Sequence, residues 1–441
     1  MVESFEQKEK VRAIIMNSKG EMIVCNCHGI FLLPGGKIEE GETEVQALQR
    51  EIKEELGLEF NQKEIIPFKT DVVIQKNYPK TDGTITNREV KTHYYIIYSD
   101  QPINKNKIHL SKREEGSFNY YYCNCNDVYK LISLESKNPG KTFFDKELLN
   151  IAHDYNQLKD IDLHVHSVHS DGEYTKDELI QKAKDRNIDT LSISDHETIN
   201  AYVNCRYEEK DDFIIIPGVE IGCKIDRGTL HILGYDFDPN NIEMKQFLDI
   251  VHKNHIYNMR INNQGLRKVF GICLPERTID NLIREDKIGR VYMAKELVRL
   301  GIANNVQDAF SRYLNRANRA MKGEFLETTW DDAVEAIHNA NGFAVLAHPT
   351  SLEMNSYALD GFVEALAAAG LDGIEVYNQG YEEKDIERLQ KIAHKHDLYQ
   401  TIGSDFHGEG IKANVYLGNG SINQTKIKKL SLVEEIKNRH K

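Results

Sequence analysis

Between residues 161 and 407, nine histidines and carboxylates stand at or just beyond the ends of short apolar segments. The segments include IDLHVH, TLSISDH, FIIIPGVE, TLHILGY, FAVLAHP, GIEVYN and YQTIGSDFH, with helical stretches between them. This alternation predicts a parallel barrel or βα-repeat domain. Barrel enzymes build their sites where the strands end, so the ligand-type residues should meet there. His164 and His166, two apart on one strand, share a face and reach one metal. Asp171, His196, Glu220, His231, His348, Asp405 and His407 complete the set. Mixed imidazole and carboxylate donors suit two or three Mn²⁺, Fe²⁺ or Zn²⁺ ions. Asp195, beside His196, is placed either to orient a histidine or to cap the next helix. His169 lies outside the pattern.

The first part of the chain reads as strands around one strong helix. In TEVQALQREIKEELG, Val45, Leu48, Ile52 and Leu56 recur at helical spacing, and Gly57 stops the run. Glu51, Glu54 and Glu55 fall at i, i+3 and i+4 and crowd one face. Their mutual repulsion is relieved by a bound cation, and hard oxygen donors suit Mg²⁺ or Mn²⁺ together with substrate phosphates. Arg50 precedes Glu54 by four residues and is placed to orient it. Gly35 and Gly36 allow backbone to approach metal or phosphate. KTFFDKELLNIAHDYNQL is a helix that closes this domain. The expected division is a first domain over 1–150, a linker over 151–158 and a second domain over 159–441. A charged helical insertion interrupts the second domain at about 240–335 and covers or shapes its site.

Gly36, Glu42, Arg50, Glu51, Ile52, Glu54, Glu55, Gly57 and Leu58 match the Nudix box without a gap. The first 150 residues therefore resemble a Nudix hydrolase, which implies an α/β/α sandwich. It also implies metal-dependent cleavage of a nucleoside-diphosphate-linked pyrophosphate, with Glu54 and Glu55 in catalysis. Either Glu114 or Glu115, in SKREEGS, resembles the further acid some Nudix enzymes use. The motifs DLHVHSVHSDG, SDHET, PGVEIGC, LHILGY, AHP and GSDFH resemble the PHP family (polymerase and histidinol phosphatase). That resemblance implies a distorted (β/α)7 barrel and a metal-activated water that attacks phosphorus in line. The insertion looks like that of the branch containing ribonuclease AM, which removes 5′ nucleotides from short RNA and hydrolyses nucleoside 3′,5′-bisphosphates. The resemblance places Arg290, and beside it Arg260, at a substrate phosphate. Tyr292 stands where the branch leads one to expect histidine.

The net charge of −13 argues against long nucleic acid gripped non-specifically; a nucleotide or short RNA is the expected partner. No apolar run is long enough for a membrane span, and the charged N-terminus lacks a secretion signal. Seven cysteines, an odd number, fit reduced thiols in a cytoplasm, with the two CNC triplets as ordinary strand residues. The fusion suggests sequential work: the first domain trims a 5′-triphosphate or cap, and the second degrades what is exposed or released. Two alternatives share these residues. One is a small-metabolite pyrophosphatase joined to a monophosphatase. The other is a Nudix module that only senses nucleotide and regulates the second domain.

Overall fold

The structure, a computed structural model, describes residues 5–80, 83–110, 116–135, 139–140, 142–202, 207–285, 287–412, 414–418 and 427–441. In the first domain the strands are β1 (Glu6–Met16), β2 (Glu21–Cys27), β3 (Ile30–Leu32), β4 (Ile66–Pro79), β5 (Ile85–Tyr98) and β6 (Phe118–Asn124). They form one sheet ordered β3-β2-β1-β5-β4, with β6 paired to β2. The helices are α1 (Glu44–Leu56), α2 (Val128–Glu135) and α3 (Phe143–Gln157). Successive side chains of β1 point to opposite faces. Val11, Ala13 and Ile15 pack with Leu48, Ile52 and Leu56 of α1. Ile14 and Met16 pack with Ile132, Leu148 and Ile151 of the other helices. The expected α/β/α sandwich follows from this alternation. Thr43 and Gln46 close a capping box at the start of α1, and Gly57 takes the left-handed conformation that ends it.

The second domain contains β7 (Asp160–Val165), α4 (Lys176–Asp185), β8 (Ile188–Ile193), β9 (Glu208–Lys210), β10 (Phe213–Cys223) and β11 (Leu230–Tyr235). The insertion follows as α5 (Ile242–Phe270), α6 (Glu276–Arg284), α7 (Arg290–Arg299), α8 (Val306–Asp308) and α9 (Asn315–Ala320), the last two joined by a π-helical stretch at Ala309–Leu314. The chain then returns through α10 (Trp330–Asn339), β12 (Phe343–Leu346), α11 (Ser356–Ala368), β13 (Gly373–Asn378), α12 (Glu383–Lys395), β14 (Tyr399–Gly403) and α13 (Ser431–Arg439). The sheet runs β14-β13-β12-β11-β10-β8-β7. It closes where Asp405 N donates to His164 O (2.8 Å) and His166 N to Phe406 O (2.8 Å).

Two expectations change. The barrel is not wholly parallel, because β11 runs antiparallel to both β10 and β12. The segment set aside as a linker is the C-terminal end of α3, with Ile151, Ala152 and Tyr155 buried. One apolar core runs through both domains: Tyr98 of β5 meets Tyr377 of β13 edge-on, with 6.3 Å between ring centroids. Several polar contacts between the domains fall beside the ends from which β7 and β14 start. Asn61 Nδ2 donates to His394 O (2.7 Å) and Lys63 Nζ to Asp397 O (2.7 Å), just before β14. Lys428 N donates to Tyr98 OH (3.0 Å), while Lys428 Nζ holds Leu158 O (2.8 Å) at the entry to β7. The insertion keeps its own small core, with Met259, Leu266, Ile279, Met293 and Leu297 fully packed.

Candidate metal centre

β7 turns Ile161, Leu163 and Val165 outward into apolar cores and leaves Asp162, His164 and His166 inside the barrel, all buried. Asp162 accepts from Ser404 Oγ (2.6 Å), Ser404 N (3.0 Å) and Gly418 N (2.9 Å), tying β7 to the segment after β14. That segment presents Asp405 and His407. His231 is the second residue of β11 and not its last. Because β11 runs backwards, its beginning lies on the same rim as the ends of its neighbours. The nine residues expected from the sequence therefore do converge.

Glu220 is 1 % exposed and stands at the centre. Its Oε1 is 2.7 Å from His231 Nδ1 and 2.9 Å from His348 Nε2. Its Oε2 is 3.3 Å from His164 Nε2 and 3.2 Å from both His166 Nε2 and His196 Nδ1. Yet Oε2 has no hydrogen-bond partner among the described residues. Imidazole nitrogens and a buried carboxylate oxygen gathered at one point, that oxygen without a hydrogen bond among the described residues, fit shared cations. Three overlapping groups could hold ions: His166, Asp171, His196 and His407; His164, His166, Glu220 and Asp405; His196, Glu220 and His231. His348 joins the last through Glu220 and lies 3.1 Å from His231.

The charges support the same picture. Burial alone would raise the Glu220 carboxyl, but His231, His164 and His196 hold it well below the carboxylate range. Burial would likewise depress His166, and Asp405 and Glu220 instead raise it to about 9. Without metal, protons on imidazole balance the carboxylates.

The sequence-based role of Asp195 changes. Among the described residues no hydrogen bond joins its carboxylate to an imidazole ring. It accepts from Ser167 N (2.7 Å), Ser167 Oγ (2.6 Å) and Ser170 Oγ (2.6 Å), and so fixes the loop that carries Asp171. Tyr292 of α7 donates its hydroxyl to Ser170 O, clipping the insertion to that loop. His169 stays at the cavity wall. Glu375 and Asp162 were not foreseen. Glu375 lies 3.1 Å from His164 Nδ1, and its other oxygen accepts from His348 N (2.6 Å).

A cavity of about 850 Å³ lies between this rim and the insertion. Asp171, His196 and His231 line one side, and Arg290, Tyr292 and Phe310 the other. Arg290 opens α7, donates to Asn315 Oδ1 (3.4 Å) and sits 5.6 Å over the Phe310 ring. Among the described residues it has no ion pair, and its surroundings draw its pKa below the usual value by desolvation. Arg260 is different: Glu276 (3.0 Å) and Asp280 (2.8 Å) already neutralise it, so it is not aimed at a ligand.

In the first domain, Gly35 N donates to Glu55 Oε2 (2.8 Å), and a side chain at Gly36 would run into the Glu51 carboxylate. Arg50 forks onto Glu42 (2.7 and 3.0 Å), reaches Glu51 (2.9 Å) and lies 3.6 Å from Glu54. Its tight partner is thus Glu42, held down at about 2, and not Glu54. Glu114 and Glu115 lie outside the described residues.

The PHP domain model matches residues 162–328. A 5′-3′ exoribonuclease of Haemophilus influenzae is 30% identical over 263 residues, covering 56% of this chain and 90% of that protein. The chain belongs to the PHP family. Ahead of the PHP domain, the NUDIX domain model matches residues 7–141. A 3′,5′-nucleoside bisphosphate phosphatase of Chromobacterium violaceum is 29% identical over 262 residues, covering 57% of this chain and 89% of that protein.

 An 8-oxo-dGDP phosphatase of Mus musculus is 43% identical over 53 residues, 11% of this chain and 16% of that protein. The chain is a hydrolase acting on phosphate bonds, with its PHP groups suited to metal. No helix among the described residues is long and apolar enough to cross a membrane.

Proposed function

We propose that the PHP domain is a metal-dependent phosphoesterase for nucleotide ends. Its substrates would be nucleoside 3′,5′-bisphosphates or short RNA with a 5′-monophosphate. The observation that carries this reading is the placement of Arg290, without an ion pair among the described residues, across an 850 Å³ cavity from the Glu220 cluster. A guanidinium facing a set of cation-binding groups fits a substrate with two phosphates, one held and one cut. A cavity of this size suits a nucleotide. Relatives named as an exoribonuclease and a bisphosphate phosphatase support the same class.

In this reading His164, His166, Asp171, His196, Glu220, His231, His348, Asp405 and His407 hold two or three divalent ions. Such ions supply Lewis acidity and a nucleophilic water at neutral pH. Arg290 orients the distal phosphate, Asp195 and Tyr292 fix the loop bearing Asp171, and the insertion excludes bulk solvent. The Nudix domain, through Glu51, Glu54 and Glu55 with Mg²⁺ or Mn²⁺, hydrolyses a phosphoanhydride and leaves a monophosphate for the PHP domain to act on.

The test is to incubate triphosphate-ended short RNA with wild type, Glu54→Gln and His166→Ala. The expected result is that His166→Ala stops after phosphate trimming and Glu54→Gln barely digests the RNA. Digestion by Glu54→Gln at the wild-type rate would sink the sequential reading.

A further inference from the structure

We propose that Glu375 is a positioning residue that fixes two candidate metal ligands at once, the ring of His164 and the backbone of His348. The inference rests on the metal-dependent reading above.

Glu375 is fully buried on β13, whose neighbours Ile374 and Val376 pack into the apolar core. It belongs to none of the three groups that could hold an ion. It stands behind them. Oε1 lies 3.1 Å from His164 Nδ1, while His164 Nε2 faces Glu220 (3.3 Å) and His166 Nε2 (3.3 Å). A carboxylate that accepts the Nδ1 proton leaves the lone pair on Nε2, where an ion would sit. Gly403 makes room for the pair: a side chain there would strike both His164 Cβ and Glu375 Oε1.

The second oxygen does a different task. His348 has φ 25° and ψ 61°, which a residue with a side chain rarely adopts. Such a backbone persists only where its surroundings hold it. Glu375 Oε2 accepts the His348 N–H at 2.6 Å, and Ser351 N donates to His348 O at 2.9 Å. The turn aims His348 Nε2 at Glu220 Oε1 (2.9 Å). One carboxylate thus sets ligands that come from separate strands.

Glutamine is nearly the same shape but has one oxygen and one amide nitrogen. If its oxygen takes the His164 proton, its NH₂ opposes the His348 N–H. If it flips, it donates to His164 Nδ1 and drives the ring proton to Nε2. Either arrangement spoils one ligand.

The experiment strips the full chain of metal and titrates Mn²⁺ by calorimetry into wild type, Glu375→Gln and Tyr377→Phe. Tyr377→Phe removes a buried hydroxyl bonded to Gln390 and Gln400 and controls for lost stability alone. Glu375→Gln should bind Mn²⁺ about 10–100-fold more weakly. Excess Mn²⁺ should restore its turnover of p-nitrophenyl phosphate with KM unchanged, and Tyr377→Phe should bind as wild type does. If Glu375→Gln does not fold, Glu375→Asp, too short to span both partners, should show the same weakening. Equal Mn²⁺ affinity in wild type and a folded Glu375 variant overturns this inference alone. A wild type that takes up no more Mn²⁺, Fe²⁺ or Zn²⁺ than Glu220→Gln overturns the underlying reading and this inference with it.

Discussion

Glu64 of the first domain accepts a 2.7 Å hydrogen bond from His394 Nδ1 of the second. That bond is the main cause raising the His394 pKa above its usual 6.5. A raised folded value means the stabilisation is complete below 6.5 and is lost as pH rises through the folded value. The His394 side chain is 33% exposed, so the effect should stay below about 1 kcal/mol. Wild type should melt above Glu64→Gln near about pH 6, with the gap closing as pH rises through the raised His394 value. A gap independent of pH would show that the proton on His394 is not involved.

Glu220→Gln should remove metal from the PHP cluster, because both oxygens of Glu220 face imidazoles from several strands. Loss of several kcal/mol of charge stabilisation predicts a fall in phosphoester hydrolysis of at least ~10³-fold. Glu54→Gln should leave that activity intact. Metal counts by mass spectrometry and turnover of a 3′,5′-bisphosphate check both.

Metal loading should release protons. Asp405 and Glu220 outweigh the effect of burial and hold His166 at about 9 in the metal-free site, so below that pH an ion must displace a proton. Apparent Mn²⁺ affinity should rise with pH up to about 9. Calorimetry in two buffers of different ionisation heat reads the protons directly. Identical heats in both would contradict the charge balance argued above.

Arg290→Ala should raise KM for a 5′-phosphorylated substrate about 10–100-fold, the value of a charge-assisted contact of about 1.5–3 kcal/mol. Hydrolysis of p-nitrophenyl phosphate, which has no second phosphate, should change little. Equal losses on both substrates would place Arg290 outside substrate recognition.

Much of the site was legible because its residues come in short contiguous signatures. HxH on a strand fixes a shared face without any knowledge of the fold. Glu375 was not legible: it sits inside GIEVYN, which reads as a plain buried strand, and its partner His164 is 211 residues away. Hydropathy carries no direction, so the reversal of β11 and the reason His231 reaches the rim were hidden. Helical spacing placed Arg50 beside Glu54, but the loop brought Glu42 closer. The end of α3 looked like a linker because its burial depends on the barrel it packs against.

The first domain docks where β7 and β14 begin, and the histidine cluster opens where they finish, six and five residues further along. At roughly 3.3 Å per residue, these strand starts lie roughly 15–20 Å from the mouth. Covalent fusion fixes the ratio of the two domains at one to one.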